Sequence, residues 1–428
     1  MPHWLLKEAR YLELTEYELG QLLIYEQPTA YIVESTEYND NYKTPVLTAG
    51  KSFILGYTNE TENIFDNLPV IIFDDFTTAT QYVNFKFKVK SSAMKILHIN
   101  TELVNPKYIY YRMQIIQFDH STHKRYWIQQ YSKLKVQIPS LPEQKRIVDK
   151  IEELFSDLDN AVETLKATQQ QLNLYKQAVL KDAFEGKLTF SWRDKHHNEN
   201  PRDDFERIKR NNEVFKDTSG DENEISLTMP KEWKKVRLGE VFEVQVGATP
   251  SRRVPEYWNG NINWVSSGEV HFNNIYSTRE QVTEDGILHS STNVHPIGTV
   301  MLAMIGEGKT RGQAAILNTK AAHNQNTAAI LVSETPCSSK YIYYFLLLNY
   351  ENTRRVGSGN NQKALNKERV RALRFPFTSF KEQEEIVAEI ESRLSVFDSI
   401  EQTIDCTLSQ AEALRQSILK QAFEGRLI

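Results

Sequence analysis

The chain is poor in the residues that many functions require. It has two cysteines, Cys337 and Cys406, in 428 residues, too few and too isolated for a disulfide framework or a thiolate metal site. It has no Pro-Pro step, hence no NPPY tetrad, and no FxGxG, so the signatures of an amino-methyltransferase are missing. No acid-base pair or nucleophile constellation supports hydrolysis. The histidines, including the adjacent His196 and His197, lack metal-ligand spacing. The first twenty residues interrupt their apolar positions with charge every few places, and no later window is apolar long enough to span a membrane. The expectation is a non-catalytic cytoplasmic protein without membrane, metal or cofactor.

Charge is present but unevenly placed. The formal net charge of −5 taken alone argues against a polyanionic partner, yet residues 231–375 hold 18 Lys and Arg against 12 Asp and Glu. Residues 143–188 and 376–428 are net acidic, with 7 against 9 and 5 against 10. One long block is therefore basic while the segments on either side carry the acid.

Those acidic segments are copies of one another. Residues 143–188 recur without a gap as 382–427, at a constant offset of 239, with about 19 of 46 positions identical. Each copy spaces apolar residues by threes and fours, which predicts a helix with a coiled-coil seam. In the first copy one heptad row is Ile151, Leu158, Leu165, Leu172 and Val179, and a second is read as Ile147, Leu154, Ala161, Thr168 and Tyr175. In the second copy the rows are Ile390, Phe397, Ile404, Ala411, Ile418 and Ile386, Arg393, Ile400, Thr407, Leu414. Both copies lack proline and end at Ala-Phe-Glu-Gly, where Gly186 and Gly425 can adopt the left-handed backbone that stops a helix. Two such helices bury their stripes on each other. With a domain between them, an antiparallel arrangement is expected; the alternative is that each packs on its own domain.

The two blocks outside the repeat echo each other faintly: Leu19–Leu23 reads LGQLL against LGEVF at Leu238–Phe242, and KYIYY occurs at Lys107–Tyr111 and Lys340–Tyr344. Short β-rich runs (Pro69–Asp75, Tyr82–Lys90, Asn261–Gly268, Ala328–Ser333) predict mixed α/β domains. Asn259-Gly260, between Trp258 and Trp264, reads as a hairpin turn. Residues 189–230 are polar around a short helical FERIKRNNEVFK and read as a surface linker.

Two loops in the basic block carry chemistry. Ala303–Thr310, AMIGEGKT, fits a loosened phosphate-loop pattern, but GKT runs into a strand-like RGQAAIL rather than a helix. The economical reading is a loop in which glycines allow close approach while Lys309, Thr310 and Arg311 meet DNA phosphates. The second loop, Arg354–Arg371, gathers Arg354, Arg355, Asn360, Asn361, Gln362 and Lys363. Amides and cations on glycine hinges suit bidentate reading of base edges; a solvated loop before the helix LNKERVRAL is the plainer alternative. In the first block Phe73–Gln81, with Thr77 and Thr78, and His123–Lys133, with Lys124 and Arg125 beside Tyr126 and Trp127, hold comparable places. That aromatic pair suits packing equally well. Arg252 and Arg253 are further candidates for backbone contact.

Taken together, the repeated EQ…AFEGKL helices, PEYWNGNINW, GKTRGQAAIL and NNQKALNK resemble a specificity subunit of a type I restriction-modification system. The resemblance covers nearly the whole chain, and the helix repeats are its most specific part. It implies two target-recognition domains (1–142 and 231–375), each reading half of a split double-stranded DNA site. They are joined by a central helix (143–188), a polar linker (189–230) and a C-terminal helix (376–428), the helices forming an antiparallel coiled coil. It also implies two methyltransferase subunits, which bring S-adenosylmethionine and adenine N6 methylation, and restriction or motor subunits. The first block lacks a counterpart of PEYWNGNINW. A helical rod of about 40 residues spans roughly 60 Å, enough to act as a ruler between half-sites. The competing reading is a coiled-coil scaffold whose blocks bind protein or sugar.

Overall fold

The structure, a computed structural model, describes residues 14–48, 52–118, 126–209, 226–306, 308–355 and 365–427. The chain divides into two compact units, Met1–Ala167 with Ile404–Ile428, and Thr168–Thr403. Each is a mixed α/β domain packed on a length of two 44-residue helices, Leu141–Phe184 and Phe380–Phe423.

In the first unit a four-stranded antiparallel sheet runs Leu23–Glu26, Met94–Ile99, Val70–Asp74, Thr80–Val83. The strand Val70–Asp74 is buried on both faces, which is why it reads as an unbroken apolar run. Ile71 and Phe73 join a core made with the helices, including Ile147, Ile151, Phe155, Ile418 and Leu419. Val70 and Ile72 point into a second core with Phe65, Phe87 and Val89. The run Tyr82–Lys90, expected as one strand, is two, Thr80–Val83 and Lys88–Val89; the second leaves the large sheet to pair in parallel with Thr44–Leu47.

The second unit repeats this plan with different residues. Its five-stranded sheet is ordered Val244–Val246, Thr327–Ile330, Val300–Ala303, Ala314–Leu317, Asn273–Ile275. Val300 and Leu302 face the core shared with the helices, while Met301 and Ala303 face the other. Asn259-Gly260 is not a hairpin turn. It is a bulge inside the strand Trp258–Val265, where Trp258 and Ile262 both oppose Val282. Asn259 takes φ 61°, and a Cβ on Gly260 would lie 2.4 Å from Val282 O, so close backbone approach demands glycine there.

The LGQL and LGEV echoes are one device. Both are single helical turns whose third residue, Gln21 or Glu240, accepts from the backbone N–H just before the turn, at 2.8 Å from Glu18 N and 2.6 Å from Arg237 N. Each turn follows a strand of a two-stranded antiparallel ribbon, Thr15–Glu18 with Lys135–Ile138 and Lys234–Arg237 with Arg374–Phe377.

Both long helices stop where glycine was expected to stop them. Gly186 and Gly425 have φ +69°, and Lys187 N and Arg426 N reach back to Asp182 O and Gln421 O at 2.9 Å, closing the same terminal motif. In the second unit the helices run antiparallel: Tyr175 meets Phe397 and, further along, Thr189 meets Glu382. In the first unit Phe155 and Asp159 meet Arg415. The first heptad row of each copy lines the seam; of the second row Ile147 and Ile386 are buried and Leu154 and Thr407 half-buried, but its other members are not. Ala161, Thr168 and Tyr175 are exposed, as are Arg393, Ile400 and Leu414. The half-buried row lies one residue later, at Val162, Gln169 and Lys176 and at Leu394, Glu401, Leu408 and Arg415. Charged residues on that row find partners, so counting apolar residues selected its neighbour.

The segment read as a surface linker is helical at Phe190–Lys195 and Pro201–Ile208. Its Phe205 is buried against Phe377, so this part belongs to the core of the second unit. Among the described residues no helix is long and apolar enough to cross a membrane.

Candidate nucleic-acid interface

The recognition candidates stand on domains that are pinned to the helices by the second residue of each repeat. Gln144 is buried; its Oε1 accepts from Asn105 N at 2.7 Å and its Nε2 donates to Pro139 O at 2.9 Å. Gln383, its equivalent, accepts from Ser338 N at 3.2 Å and donates to Thr378 O at 2.9 Å. Asn105 and Ser338 in turn cap the two KYIYY helices, Pro106–Met113 and Ser339–Leu348. From those helices Lys107 pairs with Glu152, and Lys340 with Glu391 at 2.7 Å. Tyr108 packs edge-on against Phe423, and Tyr341 packs tilted against Phe184, with centroids 5.2 and 5.0 Å apart. KYIYY is thus the motif by which each domain grips its helices. Burial raises Tyr108 to about 12 and Tyr341 well above the ordinary tyrosine value, keeping these rings neutral.

In the second unit the GKT loop leaves the strand Val300–Ala303 and closes on itself, Gly312 N to Ala303 O at 2.8 Å and Ala303 N to Gln313 O at 2.9 Å. Gly306 and Gly312 take φ 142° and 86°. After Thr310 the chain turns into the strand Ala314–Leu317. No helix N-terminus follows, so the geometry of a phosphate-binding nucleotide loop is not formed. Lys309 is exposed and Thr310 half-buried. Arg311 is turned inward: its Nη2 donates to Arg354 O at 2.6 Å. Tyr350 donates its hydroxyl to Lys309 O, and its ring meets Phe272 edge-on at 5.2 Å. On the far side of the second loop Leu365 N bonds Met304 O at 3.0 Å.

The two loops singled out in the basic block are therefore brought together. The chain departs at Arg354 and returns at Leu365 against the same GKT loop. Arg354 is half-buried, with its guanidinium 6.0 Å from the Tyr350 ring. Asn360, Asn361, Gln362 and Lys363, and the side chain of Arg355, lie outside the described residues. Tyr350 was missed by sequence reasoning, because a lone tyrosine after a helix carries no signal until the loop it staples is known.

Arg252 stands apart from this cluster. Its Nη2 donates to Glu280 Oε2 at 2.8 Å and its guanidinium lies 3.8 Å from the Trp258 ring. The hydrogen bonds to Arg252 hold Glu280 below the usual carboxylate range. Arg252 clamps the bulged strand and its neighbour, with about half of its side chain still exposed (54%).

In the first unit the candidate segments also converge. Asp74 Oδ1 accepts from Phe76 N at 2.8 Å and Thr77 N at 3.3 Å. Thr78 takes φ 58°, and Thr77 is exposed at the tip. The next residue, Asp75, reaches the other segment: Trp127 N donates to its Oδ1 at 2.8 Å and Tyr126 N to its carbonyl at 3.2 Å. Lys95, buried, lies 3.6 Å from Asp75 Oδ2 and donates to Gln27 Oε1 at 2.8 Å. A buried charge needs such partners, and this one anchors the base of both segments. Tyr126 and Trp127 are core residues, packed on Phe118 and Phe73. Lys124 and Arg125 lie outside the described residues.

Comparison with known proteins gives a consistent answer. Residues 12–174 and 230–409 match the family described as type I restriction modification DNA specificity domain. The chain is 32% identical over 426 residues to the type I restriction enzyme EcoR124I/EcoR124II specificity subunit of Escherichia coli, covering 95% of this chain and 92% of that one. It is 27% identical over 177 residues to the type I restriction enzyme MjaIX specificity subunit of Methanocaldococcus jannaschii, covering 40% and 39%. A solved chain from work on complex assembly and conformational transition of the type I R-M system has the same fold, with TM-score 0.65, 16% identity and 96% and 98% coverage.

Proposed function

The chain belongs to the type I restriction-modification DNA specificity family, and from that premise we propose that it is the DNA-recognition subunit of such a system. Each recognition domain reads one half of a split double-stranded DNA target. The two helices carry the domains and offer docking surfaces to two methyltransferase subunits; restriction subunits join that assembly. Methylation of adenine and cleavage belong to those partners, and the chain itself supplies recognition without catalysis. A cytoplasmic location follows from that role. We place the recognition domains at residues 1–142 and 231–375, the helices at 143–188 and 376–428, and between them the connecting segment 189–230, whose helix Pro201–Ile208 packs into the second unit.

The observation that carries this reading is the convergence of the GKT loop with both described ends of the amide-rich loop, in the one block of the chain that is net basic. Exposed Lys309 at its edge suits a phosphate, and the amide-rich segment suits base edges. DNA binding by the assembled complex, measured against salt, tests it. A steep linear fall of log affinity with log salt is expected. Binding that ignores salt and sequence would favour the scaffold reading instead.

A further inference from the structure

We propose that Glu382 is a positioning residue for the second half-site: its buried carboxylate fixes how the second recognition domain stands on the helices, and thereby how strictly the spacer of the DNA target is read. This rests on the bipartite recognition proposed above.

Glu382 opens the C-terminal helix and is 2% exposed. Its carboxylate collects four donors from three separate stretches of chain. Thr378 donates its hydroxyl from just before the helix. Trp233 Nε1, at the entry to the recognition domain, donates at 2.9 Å. Thr189 Oγ1 and Arg193 Nη1, just past the end of the central helix, donate at 2.8 and 2.5 Å. A carboxylate offers about four lone-pair directions, so this one is filled. Arg193 extends the joint, donating through Nη2 to Gly186 O at 2.6 Å with its guanidinium 5.5 Å from the Trp233 ring. The end of one helix, the start of the other and the first strand of the domain thus meet on one anion.

The repeat places Glu143 at the equivalent position in the first unit, where it does something else. Among the described residues its carboxylate pairs with Arg146, three residues along the same helix, at 2.9 Å, and 17% of the side chain stays exposed. A local pair of this kind ties nothing to the domain. The same residue type is a three-way joint in one unit and a helix-surface pair in the other, so among the described residues the second domain is held at its helix end by a contact that Glu143 does not make in the first. Rotation of a domain about that end moves its recognition loops along the DNA axis, which alters the spacer that fits without altering the bases read.

The test uses the full chain assembled with its methyltransferase partner, and duplexes built on the motif mapped in cells carrying the system. Methylation is compared between the native spacer and spacers longer or shorter by one base pair, and separately between native and single-base-substituted half-sites. Glu382→Ala and Arg193→Ala should lower spacer discrimination about tenfold while half-site discrimination holds. Glu382→Gln, which keeps an acceptor but not the ion pair, should fall between, and Glu143→Ala should leave both ratios as in the parent. If the alanine variants fail to fold, Thr189→Val removes one donor without stranding a charge and should still relax the spacer ratio measurably. An unchanged spacer ratio in any folded Glu382 variant, or in Thr189→Val, overturns the proposal, as does a parallel loss of half-site discrimination. A parent complex indifferent to spacer length would overturn the bipartite reading itself, a failure visible before any variant is made.

Discussion

Lys176 Nζ lies 3.1 Å from Asp398 Oδ1, and the repeat offset of 239 turns this pair into Arg415 and Asp159, which are paired in the other unit. The cation sits on the first helix in one unit and on the second in the other. Lys176 also reaches Glu401 at 2.6 Å, and Arg415 covers the Phe155 ring at 4.4 Å. These are the charged members of the half-buried seam row, and they fix the register that the apolar residues alone leave ambiguous.

Replacing Lys176 by Ala should cost only about 0.5 kcal/mol, since Asp398 is largely exposed and water screens the pair. Arg415→Ala should cost about 0.5–1 kcal/mol more, because it also strips the cation from an aromatic face. Lys176→Glu, set against Asp398 and Glu401, should destabilise further, and adding Asp398→Lys should recover part of the loss. Urea denaturation of the four variants checks the order.

The two helix-ending glycines should respond unequally to the same change. A Cβ on Gly186 would lie 2.6 Å from Pro230 Cγ and 2.8 Å from Arg193 Nη1, whereas on Gly425 it meets nothing within 4 Å among the described residues. Gly425→Ala should therefore cost about 1–2 kcal/mol, the penalty of left-handed backbone alone, and Gly186→Ala distinctly more. Equal losses in thermal unfolding would mean that the Gly186 contacts are not formed.

Acid should loosen the second unit before carboxylates titrate. His323 Nδ1 lies 2.8 Å from Thr327 Oγ1, whose hydroxyl donates to Asn324 O at 3.1 Å, so the ring donates from Nδ1 and its Nε2 accepts from His295 Nε2 at 3.0 Å. Burial pushes His295 down to about 4, against a weaker pull from Glu243, and burial together with the His295 neighbour pushes His323 to about 3. Both rings are neutral in the fold, while unfolded imidazoles take up protons near pH 6.5. Their stabilisation is complete above about pH 6.5 and is lost as pH falls, by up to about 1.4 kcal/mol per pH unit per ring, until the folded rings titrate. The urea midpoint should drop between pH 6.5 and 5, and less steeply in His295→Gln. A flat midpoint in the parent over that range would contradict a buried neutral pair.

Among the loop residues, Lys309→Ala should weaken binding to all DNA sequences and reduce the salt slope by about 1. Arg311→Ala should instead release the helix at Arg354 that it holds, and harm discrimination as well as affinity. Arg252→Ala should lower stability by roughly 0.5–1 kcal/mol, the worth of a half-exposed pair stacked on Trp258, with little change in DNA affinity. Gln362 or Asn361 changed to Ala should relax one half-site by about 1–3 kcal/mol if a bidentate base contact is lost. Binding curves for these variants, taken at several salt concentrations, separate the roles.

The repeat, its helices, their glycine stops and the doubled domain plan were legible because each is written in local spacing. The course of the second seam row beyond Leu154 and Ile386 was not, because Gln169, Lys176, Glu401 and Arg415 occupy it and only the ion pairs across the helices reveal it. Asn259-Gly260 favours left-handed backbone, which hairpin turns and bulges both use, and tertiary pairing with Val282 decided between them. Arg252 and Arg311 were read as cations for phosphate from their place in polar loops, and spacing gives no sign that Glu280 pairs with one and that the other holds the Arg354 carbonyl. The convergence of the GKT loop with both described ends of its neighbour depends on strand order and could not be read from spacing.

Methylation mapping in cells carrying the intact system, with the parent chain and with four residues inserted in the central helix near Phe184, tests the division of labour most directly. The parent should give one motif of two defined half-sites separated by a degenerate spacer of fixed length. The insertion should move the spacer by at most roughly two base pairs, at about 1.5 Å per helical residue against 3.4 Å per base pair, with both half-site sequences unchanged. A continuous unsplit motif in the parent, or half-site bases that change while the spacer stays fixed, would contradict it.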